Sequence, residues 1–439
     1  MYTQRRNGLP FLITCATVVA LTSCGGGSSD DTTAYTLAGT VSGLTTSGLV
    51  LANGSSTLAV ASGATSFTFS DSMTGSYDVS VATQPDGQTC VVSNASGSGG
   101  SNVTSVVVTC RGYVAFISNW YSGSLGEFSV GSTGALAAQS TATLSTNTYL
   151  PSSISTSADG KFAYVSFQNN KAIGVYRISA STGALSLVGT GSADSAGYGL
   201  AISPDSKYLY VANYGSATVS QFTIGSTGAL TAMSTPSVAA GVNPYAVAVS
   251  SDGLYAYVVN ASGNSVSQYS IGSTGALTAL SPATVSLSSV GTTPLAIAIA
   301  PDSNYLYVTL SDSAKLAQFS IGSSGLLTAL SPASVSTGTS PSGIVVSPAG
   351  RYAYVANSGD NTVSQYSISS GKLTAMATPT VATGTGPSGI AVSPSGSFVY
   401  AANYNDATVT SFSVGSSGAL TSLGTASTNG SGPSGISVR

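Results

Sequence analysis

Few side chains of this sequence are suited to acid–base or nucleophilic catalysis. Its 439 residues include no histidine, which excludes Ser-His-Asp and Cys-His catalysis and imidazole zinc sites. The only glutamate is Glu127. Glu127 and Asp194 are candidates for a carboxylate that activates water, and Arg177 is a candidate for holding an anionic group.

The composition limits the classes of partner. Charged residues make up 6% of the chain and the formal net charge is −3, with eleven Lys and Arg. A nucleic-acid partner needs a basic face, so none is expected. With 42% hydrophobic residues the chain should fold. The carboxylates do not have an EF-hand-like spacing, and we expect neither a metal nor a cofactor.

The N-terminal residues 1–23 have the pattern of a lipoprotein signal peptide. Arg5 and Arg6 precede an apolar run that is too short to span a membrane. The run ends in Leu-Thr-Ser-Cys24, which resembles the bacterial lipobox and predicts lipidation of Cys24. Ordinary signal-peptidase cleavage nearby is the alternative. Gly25 after the cysteine favours outer-membrane sorting, and 24–34 would be a flexible tether.

Residues 35–110 contain short alternating strands separated by turns, which predicts a small Ig-like β-sandwich that acts as a spacer. Export to an oxidising compartment predicts a disulfide between Cys90 and Cys110. Catalytic free thiols are the alternative, but no His or Lys stands nearby to activate them.

A repeat of 46 to 51 residues fills 112–439. A strand-opening residue, usually proline, precedes a tyrosine by 13 residues, and an aromatic residue follows that tyrosine 12 residues later. The repeat tyrosines are Tyr113, Tyr164, Tyr210, Tyr257, Tyr307, Tyr354 and Tyr400. The period fits a four-stranded propeller blade. The fold class is therefore all-β, a seven-bladed β-propeller preceded by the sandwich.

The first tyrosine lacks an opening strand, whereas 433–439 (PSGISVR) is an opening strand without a blade. This mismatch predicts that the C-terminal strand closes the first blade. Two residues after each opening position stands a small residue, as expected where strands converge on an axis. These residues are Ser153, Gly199, Ala246, Ala296, Gly343, Gly389 and Gly435.

The recurring Tyr-Val-Ala-Asn at Tyr210 and Tyr354 resembles the YVTN propeller repeat. The longer pattern, with Ser203-Pro-Asp-Ser and Ala229-Leu-Thr-Ala, is similar to the lactonase family of seven-bladed propellers. The resemblance implies lactone hydrolysis of the 6-phosphogluconolactonase type as one function. Members of that family use His, Glu and Arg around the channel, and no such catalytic set carries over to this chain.

Each charged candidate also has a structural interpretation. Glu127 occupies a position held by glutamine in other repeats, Arg177 suits a surface side chain, and Asp194 lies in a variable loop. The remaining propeller carboxylates fall in turns, where aspartate bonds the following backbone N–H groups.

The aromatic residues of one rim are more distinctive. The loop after Tyr113 would be three residues longer than its equivalents and carries the only tryptophan, Trp120, beside Tyr121. Tyr198 and Tyr245 should face each other across the channel mouth, with Tyr214 and Tyr404 nearby. Such a rim suits a glycan, with a protein ligand as the other partner, and packing of Trp120 against a neighbouring domain or blade is the alternative. The leading interpretation is a binding or scaffold module anchored to the membrane through Cys24.

Overall fold

A computed structural model of the chain describes residues 34–85, 87–145, 150–195 and 197–439, with the side chains of 140–145 left out. The predicted signal peptide, Cys24 and nearly all of the tether lie outside these residues. Among the described residues, no helix is long and apolar enough to cross a membrane.

Two four-stranded sheets form the N-terminal domain, in the orders β4-β1-β8-β6 and β3-β2-β5-β7. Alternate residues of their strands point inward, as with Leu37 and Val41, and build one apolar core. The strands are β1 (Leu37–Ser42), β2 (Val50–Asn53), β3 (Ser56–Ala59), β4 (Ser66–Thr68), β5 (Ser76–Thr83), β6 (Gln88–Ser93), β7 (Ser96–Ser98) and β8 (Val103–Gly112). β1 and β8 pair in parallel, and the Ig-like assignment stays a prediction.

Cys90 and Cys110 lie directly opposite each other on β6 and β8, and their sulfur atoms are bonded at 1.99 Å. The disulfide predicted from the sequence is therefore present in the structure.

Seven four-stranded sheets follow, and these blades confirm the propeller. Blade 1 begins with β9 (Val114–Asn119), β10 (Ser124–Val130) and β11 (Leu136–Ser145). Blades 2 to 4 are β12 (Pro151–Thr156), β13 (Phe162–Phe167), β14 (Ala172–Ile178) and β15 (Leu185–Ser192); β16 (Gly197–Ile202), β17 (Tyr208–Asn213), β18 (Thr218–Ile224) and β19 (Leu230–Ala239); and β20 (Pro244–Val249), β21 (Tyr255–Asn260), β22 (Ser265–Ile271) and β23 (Leu277–Ser286).

Blades 5 to 7 repeat the same meander from the innermost strand outward. They are β24 (Pro294–Ile299), β25 (Tyr305–Leu310), β26 (Lys315–Ile321) and β27 (Leu327–Ser336); β28 (Pro341–Val346), β29 (Tyr352–Asn357), β30 (Thr362–Ser369) and β31 (Lys372–Ala382); and β32 (Pro387–Val392), β33 (Phe398–Asn403), β34 (Thr408–Val414) and β35 (Leu420–Ser427). A 3₁₀ turn at Ser311–Ser313 follows β25.

The last strand, β36 (Pro433–Val438), pairs antiparallel with β9 and is the innermost strand of blade 1. The predicted closure of the ring by the C-terminal strand is confirmed. Closure pairs the otherwise open edge of β9.

The register of blade 1 corrects the sequence repeat. Phe116 pairs with Glu127, as Tyr210 pairs with Gln221, so Phe116 and not Tyr113 is the counterpart of the repeat tyrosine. The expected three-residue insertion after Tyr113 was therefore wrong. The loop from Asn119 to Ser124 has the same length as the loop from Asn213 to Thr218. In blade 1 a phenylalanine occupies the repeat position, and a tyrosine stands three residues before it.

Buried tyrosines join neighbouring blades. In blades 2 to 7, the second-strand tyrosine donates its hydroxyl to the carbonyl of a hairpin glycine in the next blade. The pairs are Tyr164–Gly228 (3.0 Å), Tyr210–Gly275 (2.6 Å), Tyr257–Gly325 (2.7 Å), Tyr307–Gly371 (2.9 Å), Tyr354–Gly418 (2.7 Å) and Tyr400–Gly134 (3.0 Å). Gly228 has φ +83°, and a Cβ there would lie 2.4 Å from the Phe162 ring, so only glycine fits.

Candidate functional site

The innermost strands converge on a narrow axis because their central residues are small. A Cβ on Gly343 would lie 2.5 Å from the carbonyl oxygen of Ser388, and one on Gly389 would lie 2.7 Å from that of Ser434. All seven small residues predicted at this position line the same cavity, which confirms their placement at the channel. Larger side chains there would push the blades apart.

The cavity opens at the end of the channel that carries the loops after the second strands. Its volume is about 480 Å³, within the usual range of small-molecule sites. The residue after each opening position forms its wall: Ser152, Tyr198, Tyr245, Leu295, Ser342, Ser388 and Ser434. Trp120, Gln168 and Tyr404 rise from the loops above. Among the described residues that line the cavity, none is charged.

One aromatic cluster, formed by Trp120, Tyr121 and Tyr404, lies where blades 1 and 7 meet. The ring centroids of Trp120 and Tyr121 are 4.9 Å apart, and those of Tyr121 and Tyr404 are 5.4 Å apart. Trp120 also donates from its indole Nε1 to Oε1 of Gln168 in blade 2, at 2.8 Å. These contacts hold the indole at the cavity wall, so Trp120 both packs against neighbouring blades and lines the cavity.

The second aromatic cluster consists of Tyr198, Tyr214 and Tyr245, on blades 3 and 4. Tyr198 lies 4.8 Å from both other rings, measured between centroids. Tyr198 and Tyr245 are therefore neighbours in contact, and the expectation that they face each other across the mouth was wrong. Adjacent blades converge too closely at the axis for their equivalent residues to stand apart.

The phenols of Tyr245 and Tyr404 are held in their neutral form. Burial, and then the nearby Tyr198 and Tyr214, raise the pKa of Tyr245 to about 12. Burial, together with the hydrogen bond and proximity of Tyr121, raises the pKa of Tyr404 to about 12, and Tyr245 adds to this effect. At neutral pH these hydroxyls can donate hydrogen bonds but cannot serve as general bases.

The charged candidates do not line this cavity. Glu127 is buried in β10, opposite Phe116. Asp194 is exposed before β16, and its Oδ2 accepts hydrogen bonds from Thr218 (3.0 Å) and Ser237 (3.2 Å). Arg177 lies on the outer surface with its guanidinium 5.2 Å from the Phe162 ring centroid. The structure does not bring these three residues together.

The other propeller aspartates occupy turns, as predicted. Asp205 accepts hydrogen bonds from the Ser203 hydroxyl (2.6 Å) and the Lys207 amide (3.1 Å). Burial alone would raise the pKa of Asp205, but these hydrogen bonds and the Lys207 charge outweigh it and lower that pKa. In the part of the chain that the structure describes, no group of three His, Cys, Asp or Glu could hold a metal ion.

Sequence reasoning missed Gln168 and the serines of the wall. The signal was present, because Ser152, Ser342, Ser388 and Ser434 recur directly after the opening position. Gln168 has no such signal. It follows directly after the second strand of blade 2, as Trp120 does in blade 1 and Tyr214 in blade 3. Its contact with the Trp120 indole exists only because blades 1 and 2 are neighbours in the ring.

Comparison with known proteins agrees with this architecture. The chain matches the family described as lactonase, 7-bladed beta-propeller, over residues 141–244, 233–336 and 327–438. None of the curated proteins compared with the chain is a significant match.

Solved structures share the fold at low identity. A candidate 6-phosphogluconolactonase from Bacteroides fragilis has 20% identity and a TM-score of 0.65, covering 74% of this chain and 98% of its own. The periplasmic gluconolactonase of Pseudomonas aeruginosa has 22% identity and a TM-score of 0.64, with the same two coverages. A Lactobacillus plantarum protein has 20% identity and a TM-score of 0.63, covering 74% and 99%.

The family matches together span residues 141–438, which is more than half of the chain and includes blades 2 to 7 and β36. This protein belongs to the lactonase family of seven-bladed β-propellers.

Proposed function

We propose that this protein is an exported binding module that takes a neutral polyhydroxylated ligand, such as a glycan, in the cavity at the channel mouth. The observation that carries the proposal is the combination of two aromatic clusters with a wall whose described residues are all uncharged. Sugars offer one apolar face for an aromatic ring and hydroxyl groups for polar partners.

The site faces away from the N-terminal domain. Strand β8 ends at Gly112 and β9 begins at Val114, beside the end of β36, whereas the cavity lies at the opposite end of β9, near Asn119. A lipid on Cys24 would be connected to the propeller through the N-terminal domain, at the end of β9 away from the mouth. The N-terminal sequence pattern and the disulfide support a place in the cell envelope, anchored to the outer membrane.

Hydrolysis of a neutral lactone is the second candidate function, and membership of the lactonase family favours it. A lactone is uncharged and fits the same wall. The reaction needs a base to activate water, and the described lining residues offer only phenols, among which the pKa values of Tyr245 and Tyr404 are raised. Binding is therefore the leading proposal.

The only tryptophan of the chain provides a direct test. Because Trp120 lines the cavity, a ligand that enters it should change the fluorescence of the protein. Glycan-array screening of residues 35–439, followed by fluorescence titration of each hit, should give a saturable change with neutral glycans.

Two matched variants show whether a glycan binds in the cavity or elsewhere on the surface. Substitution of Trp120, Tyr198 and Tyr245 by alanine should abolish binding on the array, whereas Val242→Ala, which alters an exposed apolar residue outside the cavity, should leave it unchanged. Unchanged binding by the triple variant contradicts the proposal.

A panel of sugar and organic-acid lactones distinguishes the two functions. We expect no turnover above the buffer rate. Turnover that is lost in Glu127→Gln or Asp194→Asn would reverse the ranking and establish a carboxylate-dependent lactonase.

A further inference from the structure

Four serines line one side of the cavity on consecutive blades, and we call them the serine arc: Ser342, Ser388, Ser434 and Ser152. Each places its Oγ beside main-chain carbonyl oxygens of the next blade. The shortest distances are 2.9 Å from Ser342 to Pro387, 2.8 Å from Ser388 to Pro433, 3.1 Å from Ser434 to Pro151 and 2.9 Å from Ser152 to Tyr198.

This geometry commits the protons of Ser342 and Ser388, whose hydrogen-bond partners are all main-chain carbonyl oxygens. Ser434 and Ser152 also lie beside the hydroxyls of Ser118 (3.1 Å) and Ser166 (3.0 Å). A serine hydroxyl has one hydrogen to donate and two lone pairs that accept. Ser342 has a second carbonyl oxygen, that of Ser388, at 3.1 Å, and Ser434 has that of Ser152 at 3.2 Å. Turning the proton toward the cavity would leave these partly buried carbonyls without it. Toward a ligand, Ser342 and Ser388 therefore accept hydrogen bonds and do not donate them.

The remainder of the wall has a different chemistry. At the same strand position, blades 3, 4 and 5 carry Tyr198, Tyr245 and Leu295. At this strand position, blades 3 to 5 therefore form an aromatic and apolar side of the wall, and the serine arc on blades 6, 7, 1 and 2 faces it, below Trp120 and Tyr404. A pyranose bound with one face on the tyrosines would turn its hydroxyl edge toward the serine arc.

We infer that the ligand presents hydroxyl donors to the serine arc, so the site selects a neutral pyranose over the phosphate ester or aldonate of the same sugar. This inference rests on the proposed function and narrows its ligand class. Phosphate and carboxylate oxygens are acceptors only, and they would meet serine lone pairs with no cation among the described lining residues to compensate.

The test uses defined sugars. Methyl pyranosides of glucose, galactose, mannose, xylose and N-acetylglucosamine are compared by saturation-transfer NMR and Trp120 fluorescence. The best binder is then compared with its 6-phosphate, its aldonate and its mono-fluorinated analogues, in which fluorine replaces one hydroxyl and cannot donate. We expect both anions, and at least one fluorinated analogue, to bind about tenfold or more weakly.

A double-mutant cycle assigns the hydroxyl to the arc. The loss of affinity caused by the fluorine substitution should be smaller in Ser388→Ala or Ser342→Ala, because these variants lack the hydroxyl that accepts the hydrogen bond. The same loss of affinity should remain in Ser416→Ala, because Ser416 lies outside the cavity. If the serine variants acted only by disturbing the structure, they would weaken the binding of the parent sugar and of all its analogues equally.

The outcomes separate the two claims. If no methyl pyranoside and no array glycan binds, the proposed function fails. If a neutral sugar binds but its phosphate, aldonate or fluorinated analogues bind equally well, or the cycle shows no coupling, the inference about the serine arc is wrong and the proposed function stands.

Discussion

The hydroxyl of Tyr400 in blade 7 donates a hydrogen bond to the main-chain carbonyl of Gly134 in blade 1, at 3.0 Å. It is the same contact that joins the consecutive blades from blade 2 onward, but here it spans 266 residues of sequence. The ring is therefore closed twice, by this contact and by the pairing of β36 with β9.

Deletion of 433–439 should destroy the propeller. The truncated chain loses the innermost strand of blade 1, exposes the edge of β9 and uncovers the apolar residues packed there. We expect aggregation or loss of the cooperative transition, measured by light scattering and circular dichroism. Tyr400→Phe removes one hydrogen bond and should cost only about 1 kcal/mol. A truncated protein that melts like the full chain would refute closure by β36.

Glu127→Gln should stabilise the protein. Four glutamines at the equivalent position each donate from Nε2 to a carbonyl of their own blade and accept at Oε1 from the next blade. Gln221, for example, lies 2.9 Å from the Thr235 oxygen and 2.6 Å from the Leu277 nitrogen. A glutamine at position 127 would carry the same N–H donors, which a carboxyl group does not have. We expect a gain of about 1 kcal/mol in the free energy of unfolding by urea denaturation.

The reverse substitution provides the control for this prediction. Gln221→Glu should destabilise the protein, because it places a carboxylate in a position that is 0% exposed. A loss of stability in Glu127→Gln would contradict the prediction and mean that the Glu127 carboxyl group makes a contact that an amide cannot replace.

Stability should fall steeply at alkaline pH. Burial raises the pKa of each interblade tyrosine, such as Tyr164, Tyr210 and Tyr307, above its value in an unfolded chain, about 10. Stabilisation from such a group is complete below pH of about 10 and is lost as the pH rises toward the folded pKa, because the unfolded state releases the proton first. Tyrosinate absorbance and circular dichroism should therefore change together above pH of about 10. Complete tyrosine ionisation while the β-sheet signal persists would contradict this coupling.

Removal of the disulfide should destabilise the N-terminal domain alone. Cys90 and Cys110 are separated by 20 residues, and a loop of that size is worth about 3 kcal/mol in the chain-entropy model. In the full chain, the Cys90→Ala, Cys110→Ala variant should be cleaved by protease first within 35–112, as mass spectrometry can locate. Trp120 fluorescence should stay unchanged, and early cleavage within the blades would show that the two domains unfold together.

The sequence alone determined the number of blades, the closure by the C-terminal strand and the small residues on the axis. The pattern that predicts these features recurs from blade to blade. Because strand pairing fixes the lengths of the strands and hairpins, residues at the same spacing in the sequence occupy equivalent positions in the blades. The same reasoning failed at blade 1, where Phe116 replaces the repeat tyrosine and Tyr113 stands three residues earlier. The turn aspartates were also predictable, because their hydrogen bonds are local.

Only the tertiary structure decided which side chains share the mouth. Trp120, Gln168 and Tyr404 belong to three blades and are far apart in sequence, and Tyr198 touches Tyr245 because adjacent blades converge at the axis. The commitment of the Ser388 proton to the Pro433 carbonyl depends likewise on the closed ring, which sets the distance between the two blades. Local patterns encode each blade, whereas contacts between blades exist only once all seven surround a common axis.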